Sequence, residues 1–286
     1  MYYGNGANPA GVELAKWPGF AGVWHMGEAN GTAYDSTTNG YDAAAMQNAR
    51  AHLDRDLVAV ADGAVGAARV NQAGTTYYDI EETPNGSDNR RNYLSAQVGT
   101  LGEGVGKRMT FSGWFRTTGY SEDGETLVCR RGTSYAHGWA IEKYHSNSDG
   151  QDVRLRVMVA GGGHVGGGYL TSPNDMRNNW VHLLVSFDES ESKSVATIYS
   201  NGELVENGTI VGTKIIQDSD YPLTFGNNNS LTDGQAFYGQ YDEMRLKVGS
   251  SSPNWAKAEY LTVADPMFAV ASPSKAAIGG LSIVFR

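Results

Sequence analysis

Segments that alternate apolar with polar residues, or that are rich in β-branched and aromatic ones, follow one another along much of this chain. They include "RMTFSGWFRTTG", "GETLVCRRG", "GWAIEKYH", "DVRLRVMVAGGG", "NWVHLLVSFD", "VATIYSNGELV", "YPLTFGNNN" and "GQYDEMRLKVG", each bounded by Gly, Asn, Asp or Ser. Such runs at short spacing predict many short antiparallel strands joined by tight turns, and therefore an all-β sandwich rather than a parallel α/β sheet. In "IYSNGELV", Asn201-Gly202 supplies the positive φ of a two-residue turn, which predicts a β-hairpin. Helical periodicity is confined to "NWAKAEYLTV" and "AAAMQNARAHLDRDL", and the end "IGGLSIVF" predicts a single terminal strand.

At 286 residues and 40% hydrophobic content the chain can bury a large core without cross-links. No run approaches the ~20 apolar residues of a membrane span, so membrane insertion is not expected. A net charge of −9 with no Lys/Arg cluster argues against a nucleic-acid partner. The single Cys129, beside Leu127 and Val128, reads as a buried strand residue. "MYYGN" lacks the basic and apolar parts of a signal peptide, which leaves a cytosolic protein or a fragment of a longer one.

Four segments in order, "GVWHMGEANGTAYDSTTNGYDA", "MTFSGWFRTT", "NWVHLLVSFD" with "ATIYSNGELV", and "LTFGNNN" with "GQYDEMRL" and "WAKAEY", resemble the bacterial laminin-G-like, concanavalin A-like lectin/glucanase jelly-roll domains from Trp17 to Tyr260. The resemblance implies a two-sheet antiparallel jelly-roll sandwich with a concave face, used for carbohydrate binding or adhesion and in some relatives for polysaccharide cleavage. "YYGN" is similar to the end of the small β-domain that precedes such modules in secreted bacterial proteins, which favours the fragment. The expected organisation is an upstream tail or linker over 1–14, the jelly roll over 15–262, and a C-terminal extension over 263–286.

The resemblance also implies a structural calcium joining the N-terminal segment to the last strand, at Glu28 and Asp242. Strict alternation puts Asp242 on one face with Met244, Leu246 and Val248, where a carboxylate requires a partner. The run beginning at Asp35 mimics an EF-hand loop but carries Thr37 and Met46 where acids are needed. Asp35 and Asn39 are carried as further oxygen ligands, against a competing role in turn chemistry.

For catalysis, "YYDIEETPNG" sets Asp79 and Glu81 on one strand face, without the glucanase carboxylate pattern that the fold's hydrolases carry. Period-two counting instead opposes Ser112, Trp114 and Arg116 to Phe111 and Phe115, Arg154 and Arg156 to Val153, Leu155 and Val157, His182 to Val181 and Leu183, and Tyr199 to Ile198. If the apolar sets form the core, Trp114, Arg116, Arg154, Arg156, His182 and Tyr199 gather into one outward floor. Tyr135, His137, Trp139 and Tyr144 add a neighbouring surface. Rings that stack on sugars and guanidinium groups that bind hydroxyls or carboxylates suit a glycan. The expected function is a non-catalytic, secreted or cell-surface module that binds an extracellular glycan or another surface component. Its rivals are a surface protein that self-associates through its terminal strands, and a glycoside hydrolase or lyase.

Overall fold

The computed structural model describes residues 19–28, 31–46, 58–60, 63–64, 68–71, 93–96, 98, 108–117, 125–131, 138–145, 153–159, 164–170, 176, 179–189, 193–211, 221–226, 237, 239–265, 269–271 and 283–285. In chain order its elements are β1 (Phe20–Trp24), β2 (Ala43–Met46), β3 (Val58–Val60), β4 (Ala68–Asn71), β5 (Tyr93–Ala96), β6 (Arg108–Thr117), β7 (Glu125–Arg131), β8 (Gly138–His145) and β9 (Val153–Val159). They continue with β10 (His164–Leu170), β11 (Val181–Glu189), β12 (Lys193–Ser200), β13 (Glu203–Val211), β14 (Leu223–Phe225), β15 (Gly239–Val248), α1 (Pro253–Ala264), β16 (Ala269–Ala271) and β17 (Ile283–Phe285).

The strands form two antiparallel sheets facing one another, as the alternation predicts. One has the order β13-β12-β11-β6-β15-β4-β3 with β1 also on β15; the other has the order β10-β9-β8-β7-β14-β5-β2. Between them lies the core, which includes Trp24, Phe111, Phe115, Val128, Trp139, Ile141, Leu183, Val185, Phe187, Ile198, Phe225, Met244 and Leu246. Aromatic rings bridge the sheets: Phe111 meets Trp139 at 6.1 Å and Trp24 meets Phe225 edge-on at 5.1 Å. Such pairs add ~0.5–1.5 kcal/mol beyond their area burial. Gly22 is required beneath Trp24, whose indole atoms would lie 2.2 Å from an added Cβ.

The hairpin forms where Asn201-Gly202 places it, with φ of 49° and 76°. "NWAKAEYLTV" is the body of α1, capped by the Ser252 side chain accepting from the Trp255 amide and started by Pro253. The alanine-rich candidate helix fails at its start: Ala43–Met46 is a strand paired with Tyr93–Ala96. Cross-strand pairing overrides the weak helix preference of a few alanines. The terminal strand β17 pairs with β16 in a two-stranded sheet of its own.

A bulge in β15 corrects the register expected for Asp242. Glu243 adopts φ +50° and the pairing with β6 shifts between Asp242 and Arg245. Asp242 thus lies opposite Trp114, and Arg245 opposite Ser112, while Met244 and Leu246 keep to the core. An extra residue in one strand reverses the side-chain parity on either side of it.

Candidate functional site

The sandwich has two outer faces, and the residues singled out in the sequence fall on both. On the eight-stranded sheet, β6, β11 and β12 present Ser112, Trp114, His182, Leu184 and Tyr199 away from the core, as period-two counting predicts. This is not an open floor. The helix α1 lies across it: Tyr260 stacks on Trp114 at 5.8 Å, His182 sits 5.2 Å from Trp114, and Ala256 packs with Leu184 and Tyr199. Trp114, His182 and Tyr199 are left 5%, 1% and 4% exposed. Their expected role as ligand contacts is therefore replaced by packing against the helix. Arg116 lies on the same strand, donating from Nε to Gln240 Oε1 at 2.7 Å with its guanidinium 5.0 Å from the Trp180 ring.

Beneath α1 runs a chain of buried charges that the sequence reading did not single out. His25 Nδ1 meets Glu243 Oε1 at 2.8 Å, and Glu243 Oε2 accepts from Arg245 Nη2 at 2.8 Å. Arg245 Nη1 donates to Glu259 Oε1 at 3.1 Å, Ser112 Oγ donates to the same oxygen at 2.5 Å, and Trp255 Nε1 donates to Glu259 Oε2 at 2.8 Å. His182 Nε2 stands 3.7 Å from Glu259. Burial by itself would raise the Glu259 carboxyl. The His182 and Ser112 hydrogen bonds and the Arg245 charge outweigh it and hold Glu259 at about 2. Glu243 is likewise lowered against its burial, by His25 and Arg245.

Ser112, Glu259 and His182 superficially combine a hydroxyl, an acid and an imidazole. The hydroxyl donates to the carboxylate rather than to the imidazole, and all three are buried. A nucleophile requires the base to accept its proton and a substrate to reach it. The arrangement instead fixes the helix: Glu259 comes from α1, and Ser112, Arg245 and His182 come to it from β6, β15 and β11.

The other outer face belongs to the seven-stranded sheet. On β8, Trp139 and Ile141 face the core, so Trp139, 2% exposed, is a core residue and not a ligand contact as expected. Alternation gives the opposite face to Ala140 and Glu142, and the register sets Cys129 opposite Ala140 and Thr126 opposite Glu142. Cys129 is buried as expected, with Sγ 3.1 Å from Thr224 Oγ1. Thr126 and Glu142 are fully buried polar residues on this face, and the Thr126 hydroxyl has no hydrogen-bond partner.

Register extends the same face across β9 and β10. Glu142 is opposite Arg156 and Tyr144 opposite Arg154, while across the next pair Arg156 is opposite Gly166 and Arg154 opposite Tyr169. The single floor expected from Trp114, Arg116, His182, Tyr199, Arg154 and Arg156 is thus divided between two sheets on opposite sides of the core. Period-two counting fixes a face within a strand but not the sheet to which the strand belongs. Tyr135, His137, Asp79 and Glu81 lie outside the described residues.

The loop after β1 answers the turn question. Asp35 Oδ1 accepts from the Val23 and Thr37 amides at 3.0 and 2.9 Å, and Oδ2 from Thr37 Oγ1 and the Tyr41 amide at 2.7 and 2.9 Å. Four donors fill the roughly four lone-pair sites of a carboxylate, so Asp35 does not fit a cation and organises a turn. The Asn39 amide group donates to the Phe20 and Ala21 carbonyls, tying the same loop to β1. Glu28 Oε1 accepts from the Tyr34 amide, and Asp242 Oδ1 from the Glu243 amide. Among the described residues there is no group of three or more His, Cys, Asp or Glu that could hold a metal ion.

Comparison with known proteins agrees with this architecture. Domain 4 of AbnA, an extracellular GH43 arabinanase from Geobacillus stearothermophilus solved in complex with arabinotriose, is 16% identical with a TM-score of 0.53, over 83% of this chain and 96% of that one. The receptor binding domain of botulinum neurotoxin type G is 13% identical with a TM-score of 0.52, over 85% of this chain and 51% of that one. The binding domain of Paraclostridial Mosquitocidal Protein 1 is 12% identical with a TM-score of 0.55, over 86% of this chain and 53% of that one. This chain thus spans about half the length of those two toxin domains, and at such identities the likeness is one of fold. No curated protein matches the chain in sequence. A laminin-G-type model described as the concanavalin A-like lectin/glucanases superfamily matches residues 88–253, more than half of the 286 residues. The chain belongs to the concanavalin A-like lectin/glucanases superfamily.

Proposed function

We propose that the protein is a non-catalytic carbohydrate-binding module of a secreted or cell-surface protein, and that it binds through the outer face of its seven-stranded sheet. The observation that carries this reading is the cross-strand patch on that face. Thr126, Glu142 and Arg156 form one row and Tyr144, Arg154 and Tyr169 the next, over four adjacent strands. Tyrosine rings suit the C–H faces of sugars, and guanidinium groups suit their hydroxyls and carboxylates. On the opposite outer face α1 covers Trp114, His182 and Tyr199. The extracellular AbnA domain in complex with arabinotriose supports this reading by shared fold alone.

Affinity electrophoresis through gels containing a panel of neutral and acidic polysaccharides tests the proposal. Retardation on at least one, abolished by Tyr144→Ala and unchanged by Arg116→Gln, is the expected result. Migration unaffected by every polysaccharide removes the reading. Calcium at Glu28 and Asp242 is a separate proposal, supported by the complete burial of the Asp242 carboxylate. A thermal midpoint that does not move when the protein is dialysed against EDTA discards it.

A further inference from the structure

We infer that the indole of Trp255 is a second sugar contact, a platform on which the C–H face of a sugar ring stacks; this rests on the sugar-binding reading above for the class of ligand, not for the place. Trp255 stands in the first turn of α1, on the opposite side of the core from the seven-stranded sheet. Among the described tryptophans, Trp24, Trp114 and Trp139 are buried and Trp180 is half-buried, whereas Trp255 is 40% exposed. Exposure alone is common for an apolar side chain. Trp255 differs in that its ring is both exposed and held.

The buried charges beneath the helix hold it. The indole Nε1 donates to Glu259 Oε2 at 2.8 Å, and the other oxygen of that carboxylate accepts from Ser112 and Arg245. The Phe20 ring lies 6.4 Å away, tilted by 42°, and the Lys247 ammonium stands 5.2 Å from the indole centroid. A ring fixed in this way loses little freedom when a ligand stacks on it. Its surroundings select the ligand. Lys247 Nζ also donates to Ser250 O and Ser251 Oγ, and the loop leading into α1 exposes Ser250 and Ser252. An apolar protein surface laid here would strip water from an ammonium and several hydroxyls. A sugar offers C–H groups to the ring and hydroxyls to its polar rim. One stacked ring is too weak to retain a polymer by itself, so it adds to the first site by avidity.

The test follows the indole N–H of Trp255 by heteronuclear NMR, its signal identified by its loss in Trp255→Phe, while the full chain is titrated with cellotriose, maltotriose and arabinotriose at millimolar concentration. Movement of that signal with at least one trisaccharide is expected in the wild type and in Tyr144→Ala alike, since a trisaccharide is too short to reach round the core and reports each contact separately. Trp255→Ala should weaken retention on a polysaccharide that retards the wild type by about two- to tenfold, the size of one aromatic contact, without abolishing it. The wild-type titration stands even where a variant does not fold. A signal that none of the three moves, with polysaccharide retention intact, overturns the platform and leaves the reading above in place. No movement and no retention on any polysaccharide overturn both. A concentration-dependent dimer that Trp255→Ala disperses would give the ring to a second copy of the chain and likewise overturn the platform.

Discussion

The two outer faces start from similar residues and reach opposite ends. On the eight-stranded sheet Trp114, His182 and Tyr199 are sealed beneath α1, and the acid among them, Glu259, is bound to a serine, an arginine and an indole. On the seven-stranded sheet the register sets arginine and tyrosine positions side by side on adjacent strands. The difference lies in what the chain itself lays across the eight-stranded sheet. A face sealed by a helix of the same chain stabilises the fold, whereas aromatic and cationic positions set side by side on adjacent strands suit a sugar.

The largest expected effect falls on the sealed face. Glu259→Ala leaves Arg245 buried without one of its carboxylates and should cost about 3–5 kcal/mol, read as a lowered urea midpoint. A loss below ~1 kcal/mol would show that the charge chain does not hold α1. Acid should reach the same latch. The Glu259 carboxyl sits at about 2 in the folded protein against an ordinary value of 4.5. A lowered folded value contributes stability that is complete above pH 4.5 and disappears as pH falls toward 2, on the order of 3 kcal/mol for this group. Thermal midpoints followed from pH 6 to pH 2 should therefore drop steeply, and Glu259→Gln should flatten that drop. An acid limb of unchanged steepness in the variant would assign the titration elsewhere.

A smaller effect is expected at the hairpin under the helix. Gly202 has φ +76°, and an added Cβ would stand 2.9 Å from the Lys257 Cα. Gly202→Ala combines backbone strain with a clash against α1 and should cost about 1–3 kcal/mol in chemical denaturation. For Tyr144→Ala the expected effect is on binding, a complete loss of polysaccharide retention. Stability lost without any change in retention would reverse the assignment of the two faces.

Much of the fold was legible because it depends on local rules. Alternation identifies the core sides of β6, β11 and β12, and Asn201-Gly202 marks its own turn. Asp35 was legible as turn chemistry, since an Asx residue before small polar residues finds backbone amides close by. The helix at "NWAKAEYLTV" was legible too, but its destination was not. A periodic pattern says that a helix has a side to bury, and nothing in it says against which face. The Trp139 assignment failed because an aromatic beside glycine suits a core strand and a binding loop equally well.

What the sequence by itself determined is the all-β class, the side-chain parity of the unbulged strands and the hairpin turn. All of these follow from steric and hydrogen-bonding preferences within a few residues. Only the tertiary structure decided that Arg154 and Arg156 belong to the other sheet from Trp114 and His182, that the bulge at Glu243 turns Asp242 from the Met244 side to the Trp114 side, and that Glu259 meets Arg245 under α1. Those facts depend on which strands pair and where a helix lands. Long-range pairing is selected by the packing of the whole core, so short segments do not carry it.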